Sequence, residues 1–213
     1  MLLQGQVGPQ VLSDGTIAQA RQGKLGEMSV SELQARYYEQ AYRGNVFFAS
    51  ATSVTFTAQA LTTTSGTGLA ISNPAASKKN LVPIQAEMLL TGIVANTNTL
   101  FTAGVMVTPY SATAITNTTG ATIYNALGPA TTGAGSVATG SVNYQLPVAP
   151  VLFKAFYSAA VTSTTFAGAP GSNIAQALDF GGSIIIAPGS TIVICGTLAD
   201  TGHVTMTWME VPI

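Results

Sequence analysis

His203 is the only histidine and Cys195 the only cysteine in a chain of 213 residues. A Ser-His-Asp triad would have to be built on His203 alone, and most zinc sites need more His and Cys ligands than the chain supplies. Thr201-Gly202-His203 reads as a turn entering the last strand. Cys195 sits in Thr191-Ile-Val-Ile-Cys-Gly196, an apolar run of buried-strand type, so it reads as a core thiol rather than a nucleophile, and a lone cysteine excludes an internal disulfide. The acids beyond Gly44 stand apart in sequence: Glu87 in a strand, Asp179 before Gly181-Gly182, Asp200 in a turn and Glu210 near the C-terminus. A glycosidase needs two carboxylates about 5–9 Å apart across a bond, and no spacing here suggests such a pair. Thr132-Gly-Ala-Gly135 and Gly168-Ala-Pro-Gly171 lack the lysine and the following helix of a phosphate-binding loop. Chemistry is sought and not found: the expectation is no enzyme, no cofactor and no metal.

What the charged residues do instead is cluster. Of seven basic and eight acidic side chains, Asp14, Arg21, Lys24, Glu27, Glu32, Arg36, Glu39 and Arg43 precede Gly44, and only Lys78, Lys79, Glu87, Lys154, Asp179, Asp200 and Glu210 follow. An ordinary globular domain is about 25% charged, and a surface that stays dispersed alone carries about 25–35%. The body beyond Gly44 is therefore expected to be covered by neighbours or wetted by hydroxyls and amides. A net charge of −1 argues against a nucleic-acid partner, which calls for a basic patch. Lys78-Lys79 is too short for one and follows Asn73-Pro74 in what reads as a solvated turn. No segment reaches the roughly 18 apolar residues of a membrane span, and the N-terminus lacks the pattern of a secretory signal. Synthesis in a reducing cytosol is the expectation.

The elements that must carry these residues fall into three parts. Residues 1–28, punctuated by Gly5, Gly8, Pro9, Gly15, Gly23 and Gly26, hold no regular period and read as an extended arm that orders on another surface. Residues 29–44 read as a helix: Ser29 and Glu32 have capping-box spacing, Val30, Leu33, Tyr37 and Ala41 form one stripe, Glu32–Arg36 and Glu39–Arg43 are acid-first pairs, and Gly44 is the C-cap. Leu33 and Tyr37 are expected to face the body, and Tyr38 and Tyr42 to lie nearer a neighbouring subunit or another surface on which the chain assembles. From Asn45 to Ile213 the period becomes two and the palette Thr, Val, Ile, Ala and Gly, which predicts eight to eleven short strands in an all-β antiparallel sandwich. Ile184–Ile194, with Pro188-Gly189 at its centre, reads as a tight hairpin. Pro83 marks an edge or a bulge, and the segment 111–147 reads as loops with a strand or two.

The run Arg36-Tyr-Tyr-Glu-Gln-Ala-Tyr-Arg-Gly-Asn-Val-Phe47, set between a Gly-punctuated arm and a Thr/Ala-rich body, resembles small virion structural proteins of tailed bacteriophages. So do Asn80-Leu-Val-Pro-Ile-Gln85, Ala187-Pro-Gly-Ser190 and the ending Thr207-Trp-Met-Glu-Val-Pro212. Among these the chain looks most like the capsid decoration, or cement, proteins. The resemblance implies a jelly-roll body, self-association as a homotrimer, an N-terminal arm on the major capsid protein, and a place on the capsid exterior without nucleic acid or membrane. Arg21, Lys24, Arg36, Tyr37, Tyr38, Tyr42 and Arg43 are the expected assembly residues. An alternative is a neck, tail or fibre component that binds carbohydrate through loop aromatics such as Tyr110, Tyr124, Tyr144 or Tyr157.

Overall fold

A computed structural model describes residues 5–6, 20–21, 36–56, 65–92, 103–128, 135–157, 174–196 and 199–213. The chain divides into two units, Met1–Glu39 and Gln40–Ile213. In the first, β1 (Gly5–Gln6) pairs in parallel with β2 (Ala20–Arg21). The rest of the expected arm lies outside the described residues, as do Ser29, Glu32 and Leu33 of the expected helix.

Among the described residues, α1 (Tyr38–Tyr42) is preceded by a turn at Arg36 and Tyr37, two residues of the expected helix. The Arg36 guanidinium lies 5.2 Å from the centre of the Tyr37 ring. Adjacent residues on a continuous helix do not face each other, so this contact favours the turn. The end of α1 falls where expected. Gly44 takes a φ of +72°, its N–H donates to the Ala41 carbonyl at 3.0 Å, and the Asn45 N–H donates to the Gln40 carbonyl at 2.9 Å. These two bonds around a left-handed glycine are a Schellman cap, which satisfies carbonyls that the helix leaves open.

Beyond the cap the protein is all β. The strands are β3 (Val46–Thr55), β4 (Ser65–Ser72), β5 (Lys79–Gly92), β6 (Ala103–Val107), β7 (Thr116–Gly120), β8 (Ile123–Asn125), β9 (Thr139–Gln145), β10 (Val151–Tyr157), β11 (Ile174–Asp179), β12 (Thr191–Gly196) and β13 (Thr201–Pro212). Four antiparallel pairs are nested: β3 with β13, β4 with β12, β5 with β11 and β6 with β10. The chain thus folds back on itself once as a long hairpin, which rolls up when β13 also pairs with β5 and β12 with β6. Two sheets result, in the orders β11-β5-β13-β3-β8 and β10-β6-β12-β4-β9-β7. With β7 to β9 set aside as an excursion that widens both sheets, the remaining eight strands have the order of a jelly roll.

Alternation along each strand builds the core. Val204, Met206 and Trp208 of β13 are buried with Phe47, Ala49, Ala86, Met88 and Leu90, and face Leu69, Ile71, Val105, Ile192 and Ile194 from the other sheet. Trp208 stacks near Phe47, with ring centres 6.3 Å apart. β12 is buried on both faces, as its unbroken apolar run requires. Its Val193 and Cys195 belong to a second cluster with Ala70, Met106, Tyr144 and Leu146, on the face of the six-stranded sheet turned away from the main core.

Two local expectations change, and one of the two alternatives at Pro83 is realised. The Pro188-Gly189 turn forms, with Gly189 at a φ of +85°, but it joins no hairpin. Ile186 makes an isolated bridge to Leu81, while β12 lies between β4 and β6, because the two arms of the turn serve different sheets. Val46–Ser50 and Ser53–Ala58, which the sequence pattern predicts as two short strands, form one strand over Val46–Thr55 in which Ser53 takes a φ of +54°, with Thr57 and Ala58 outside the described residues. Pro83 sits at a register shift between β5 and β13, so the bulge is the form realised.

Trp208 is fully buried and its indole N–H has no hydrogen-bond partner. Replacing Trp208 by Ala is expected to cost about 3–5 kcal/mol through the cavity left behind. Replacing it by Phe, which keeps ring packing and removes the unpaired N–H, should cost clearly less. Urea unfolding followed by far-UV circular dichroism measures both.

Candidate functional site

The chemistry-bearing residues land in separate places. Cys195 is buried in β12 beside Tyr144 of β9. Burial pushes the thiol up to about 12, against a smaller downward effect of the Tyr144 hydroxyl, and burial together with the neighbouring thiol holds the Tyr144 phenol well above its ordinary value. A thiol so placed carries almost no thiolate near neutrality and is no nucleophile.

His203 lies on the opposite sheet, where β3 bulges. Gly202 pairs with Val54 and Val204 with Ala51, so two residues of β3 face the one histidine. The Ser53 N–H donates to His203 Nδ1 at 3.2 Å. A backbone N–H can only donate, so Nδ1 presents its lone pair and the neutral ring carries its proton on Nε2. Among the described residues, no three His, Cys, Asp or Glu side chains gather into a metal-binding group. No described helix is long and apolar enough to cross a membrane.

The acids beyond Gly44 also part company. Glu87 is exposed on β5 and accepts a hydrogen bond from Gln85 Nε2 at 2.8 Å. Asp200 is buried ahead of β13, and its carbonyl accepts the Phe56 N–H at 2.8 Å. Glu210 is the departure from the sequence reading. Its side chain is 0% exposed and pairs with Lys79 Nζ at 2.9 Å. Ser136 Oγ donates to Oε1 at 2.7 Å, and the Val137 N–H donates to the same oxygen at 3.0 Å. Lys79 is therefore no member of a solvated turn, although Lys78 beside it is exposed. Asn73 ahead of it is buried too, with its amide donating to the Lys79 and Ile186 carbonyls at 2.8 Å each. The period of β13 carried the signal, since Glu210 shares the face of Val204, Met206 and Trp208.

The expected assembly residues are placed as follows. Arg21 is in β2, Lys24 lies outside the described residues, and Arg36 and Tyr37 form the turn before α1. Tyr38 and Tyr42 are 48% and 65% exposed, Tyr37 is half-buried, and Arg43 is exposed at the end of the helix. Asn125 Nδ2 donates to the Gly44 carbonyl at 2.7 Å and Asn45 Nδ2 to Gln40 Oε1 at 3.1 Å, so the cap of α1 is tied to the sandwich. Of the loop aromatics, Tyr110 is exposed and Tyr124 stacks on Phe48 with centres 5.4 Å apart. Tyr144 is a correction: it is a strand residue closed into the second cluster and offers no platform. The Tyr157 side chain lies outside the described residues. Comparison with family models, with curated proteins and with solved structures finds no match to this chain.

Two measurements test this geometry. Lys79→Ala leaves the Glu210 carboxylate buried with only Ser136 and Val137 as donors, and should cost about 3 kcal/mol, the low end for uncovering a buried charge. Adding Glu210→Gln should return much of that loss, because the stranded charge is removed, and a double-mutant cycle in urea reads the coupling.

The Cys195 thiol, raised from 9.0 to about 12, stays protonated in the folded chain while the unfolded chain ionises above its ordinary value. Its stabilising effect is thus fully present below pH 9 and is lost as pH rises from about 9 toward 12. The urea midpoint should fall over that window, less steeply in Cys195→Ala, and a thiol reagent should label the native protein only on unfolding.

Proposed function

We propose that the protein is a non-enzymatic virion structural protein that binds the outside of a bacteriophage capsid and stabilises it as a decoration protein. The observation that supports this best is the combination of a jelly-roll body almost without charge and a separate N-terminal unit of 39 residues that holds seven of the fifteen charged residues. A body with so few charges gains solubility when neighbours cover it. Tyr38 and Tyr42 of α1 stand exposed. Tyrosine supplies large contact area and is enriched among the residues that dominate interfaces. The trimeric state and the major capsid protein as partner rest on the resemblance to cement proteins.

The physical task fits these parts. Pressure from packaged DNA loads the seams between capsomers, and a subunit bound across a seam adds interface that must break before the shell fails. Binding that favours the assembled shell over its parts shifts the equilibrium by mass action, and many weak contributions add.

Sedimentation equilibrium of the purified chain should give a trimer, and quantitative mass spectrometry of virions encoded with it should give copies in the hundreds. A dozen copies or fewer would move it to the neck or tail. Deleting residues 1–28 should leave the far-UV circular dichroism of the body intact while abolishing attachment to particles. Tyr38→Ala with Tyr42→Ala should weaken assembly without lowering the melting temperature. Melting at a lower temperature with normal assembly would make these tyrosines part of the subunit's own packing.

A further inference from the structure

The outer face of the five-stranded sheet carries a feature that the proposed function leaves unexplained. On β11, Leu178 points into the core, so Ala175 and Ala177 point outward; on β5, Met88 points in, so Glu87 and Leu89 point out; on β13, Val204 points in, so His203 and Thr205 point out. Register sets these six in two rows. Ala175 is opposite Leu89 and Leu89 opposite His203, while Ala177 is opposite Glu87 and Glu87 opposite Thr205. The small alanines of the edge strand leave a hollow of about 490 Å³ over the three strands. That lies within the range of small-molecule sites, roughly 300–1,000 Å³.

We propose that this hollow binds a neutral saccharide unit of a glycan. One carboxylate, one imidazole N–H and one hydroxyl converge on a patch whose other lining residues are Met88, Leu89, Ala175, Gln176 and Ala177. Gln85 Nε2 holds Glu87 Oε1 at 2.8 Å, which orients the carboxylate and leaves Oε2 to accept from a ligand hydroxyl. The Ser53 N–H fixes His203 Nδ1 as an acceptor, which leaves Nε2–H to donate. Thr205 can do either. A sugar ring presents the matching set: hydroxyls that both donate and accept around its rim, and a C–H face for Leu89 and the alanines. Other ligand classes fit worse. An anion finds no Lys or Arg among the lining residues and meets Glu87, and a metal ion finds a single carboxylate. A wholly apolar ligand would strip water from Glu87 and Thr205 without replacing their hydrogen bonds.

The test uses the full-length protein labelled with nitrogen-15 and titrated at millimolar concentration with neutral tetrasaccharides: maltotetraose, cellotetraose, chitotetraose and mannotetraose. Tetragalacturonate and a tetra-alanine peptide represent the other classes. At least one neutral sugar is expected to shift the amides of Leu89, His203 and Thr205. Glu87→Ala should weaken that binding about tenfold or more, as expected for loss of a hydrogen bond to a charged group. Ala177→Trp fills the hollow from an exposed position without touching any hydrogen bond, and should abolish binding in a protein whose spectrum is otherwise unchanged. No shift with any neutral sugar, binding only of the anion or the peptide, or shifts that survive both substitutions would overturn the proposal. None of these results depends on whether the chain attaches to a capsid.

Discussion

The last strand of the chain is the middle strand of its sheet, and the fold depends on that placement. β13 pairs with β5 from Thr201 to Pro212 and with β3 from Thr201 to Met209. Without it, the described partner of β3 is β8, three residues long, and that of β5 is the edge strand β11. Among the described residues, the two sides of the five-stranded sheet meet only through this strand. Val204, Met206 and Trp208 enter the core from the same strand, so the sandwich cannot be filled until β13 is in register. Pairing across the length of the chain makes closure a late and slow event by the general relation between contact order and folding rate.

Glu210 shows what that constraint tolerates. A carboxylate at an inward position of the central strand is costly to desolvate, and it is acceptable because three donors reach it. Lys79 comes from the first residue of β5, and Ser136 and Val137 come from the return of the β7–β9 excursion. The charge thus marks a junction. It ties the excursion, which widens both sheets, to the strand that holds them together. Hydrophobic residues of similar volume could pack there, but they would not specify where the loop at 135–138 lands.

The nested order of the strands follows from features that the sequence shows plainly: period-two alternation, β-branched runs and Gly or Pro at the bends. β12 was legible because Thr191-Ile-Val-Ile-Cys-Gly196 is apolar on both faces, and β13 because its alternation is unbroken. The Gly44 cap was legible because only a residue at ease with positive φ ends a helix in that way. β7 and β9 were not. Thr116-Asn-Thr-Thr-Gly120 and Thr139-Gly-Ser-Val-Asn-Tyr-Gln145 are polar enough to read as loop, and they are strands because β4 offers β9 an edge to pair with and β9 then offers one to β7. The Ile184–Ile194 segment failed in the opposite sense: its turn chemistry was right, but a turn does not dictate which sheet each arm joins. The hollow around Glu87 and His203 was invisible because it exists only in register. Residues 87, 177 and 203 carry no spacing motif, and three strands must be laid side by side before they share a surface.

The edges of the sandwich bring composition and architecture together. β10 and β11 end their sheets on one side, where Phe153 and Phe180 stack with ring centres 6.1 Å apart. Proteins that work alone blunt such edges with lysine, proline or bulges, since a flat edge recruits other chains. β10 follows that rule, with Lys154 in its middle and two irregularities in its pairing with β6. β11 does not. Ile174 to Asp179 keeps unbroken register with β5 and holds neither lysine nor proline. The same small side chains that leave this edge unguarded, Ala175 and Ala177, open the hollow over Glu87. One choice of residues therefore has two consequences: a surface with a hollow, and a strand that, among the described residues, ends its sheet without lysine or proline. An edge of that kind is tolerable where association is controlled and a liability where it is not, because unpaired backbone N–H and C=O groups recruit any strand that reaches them.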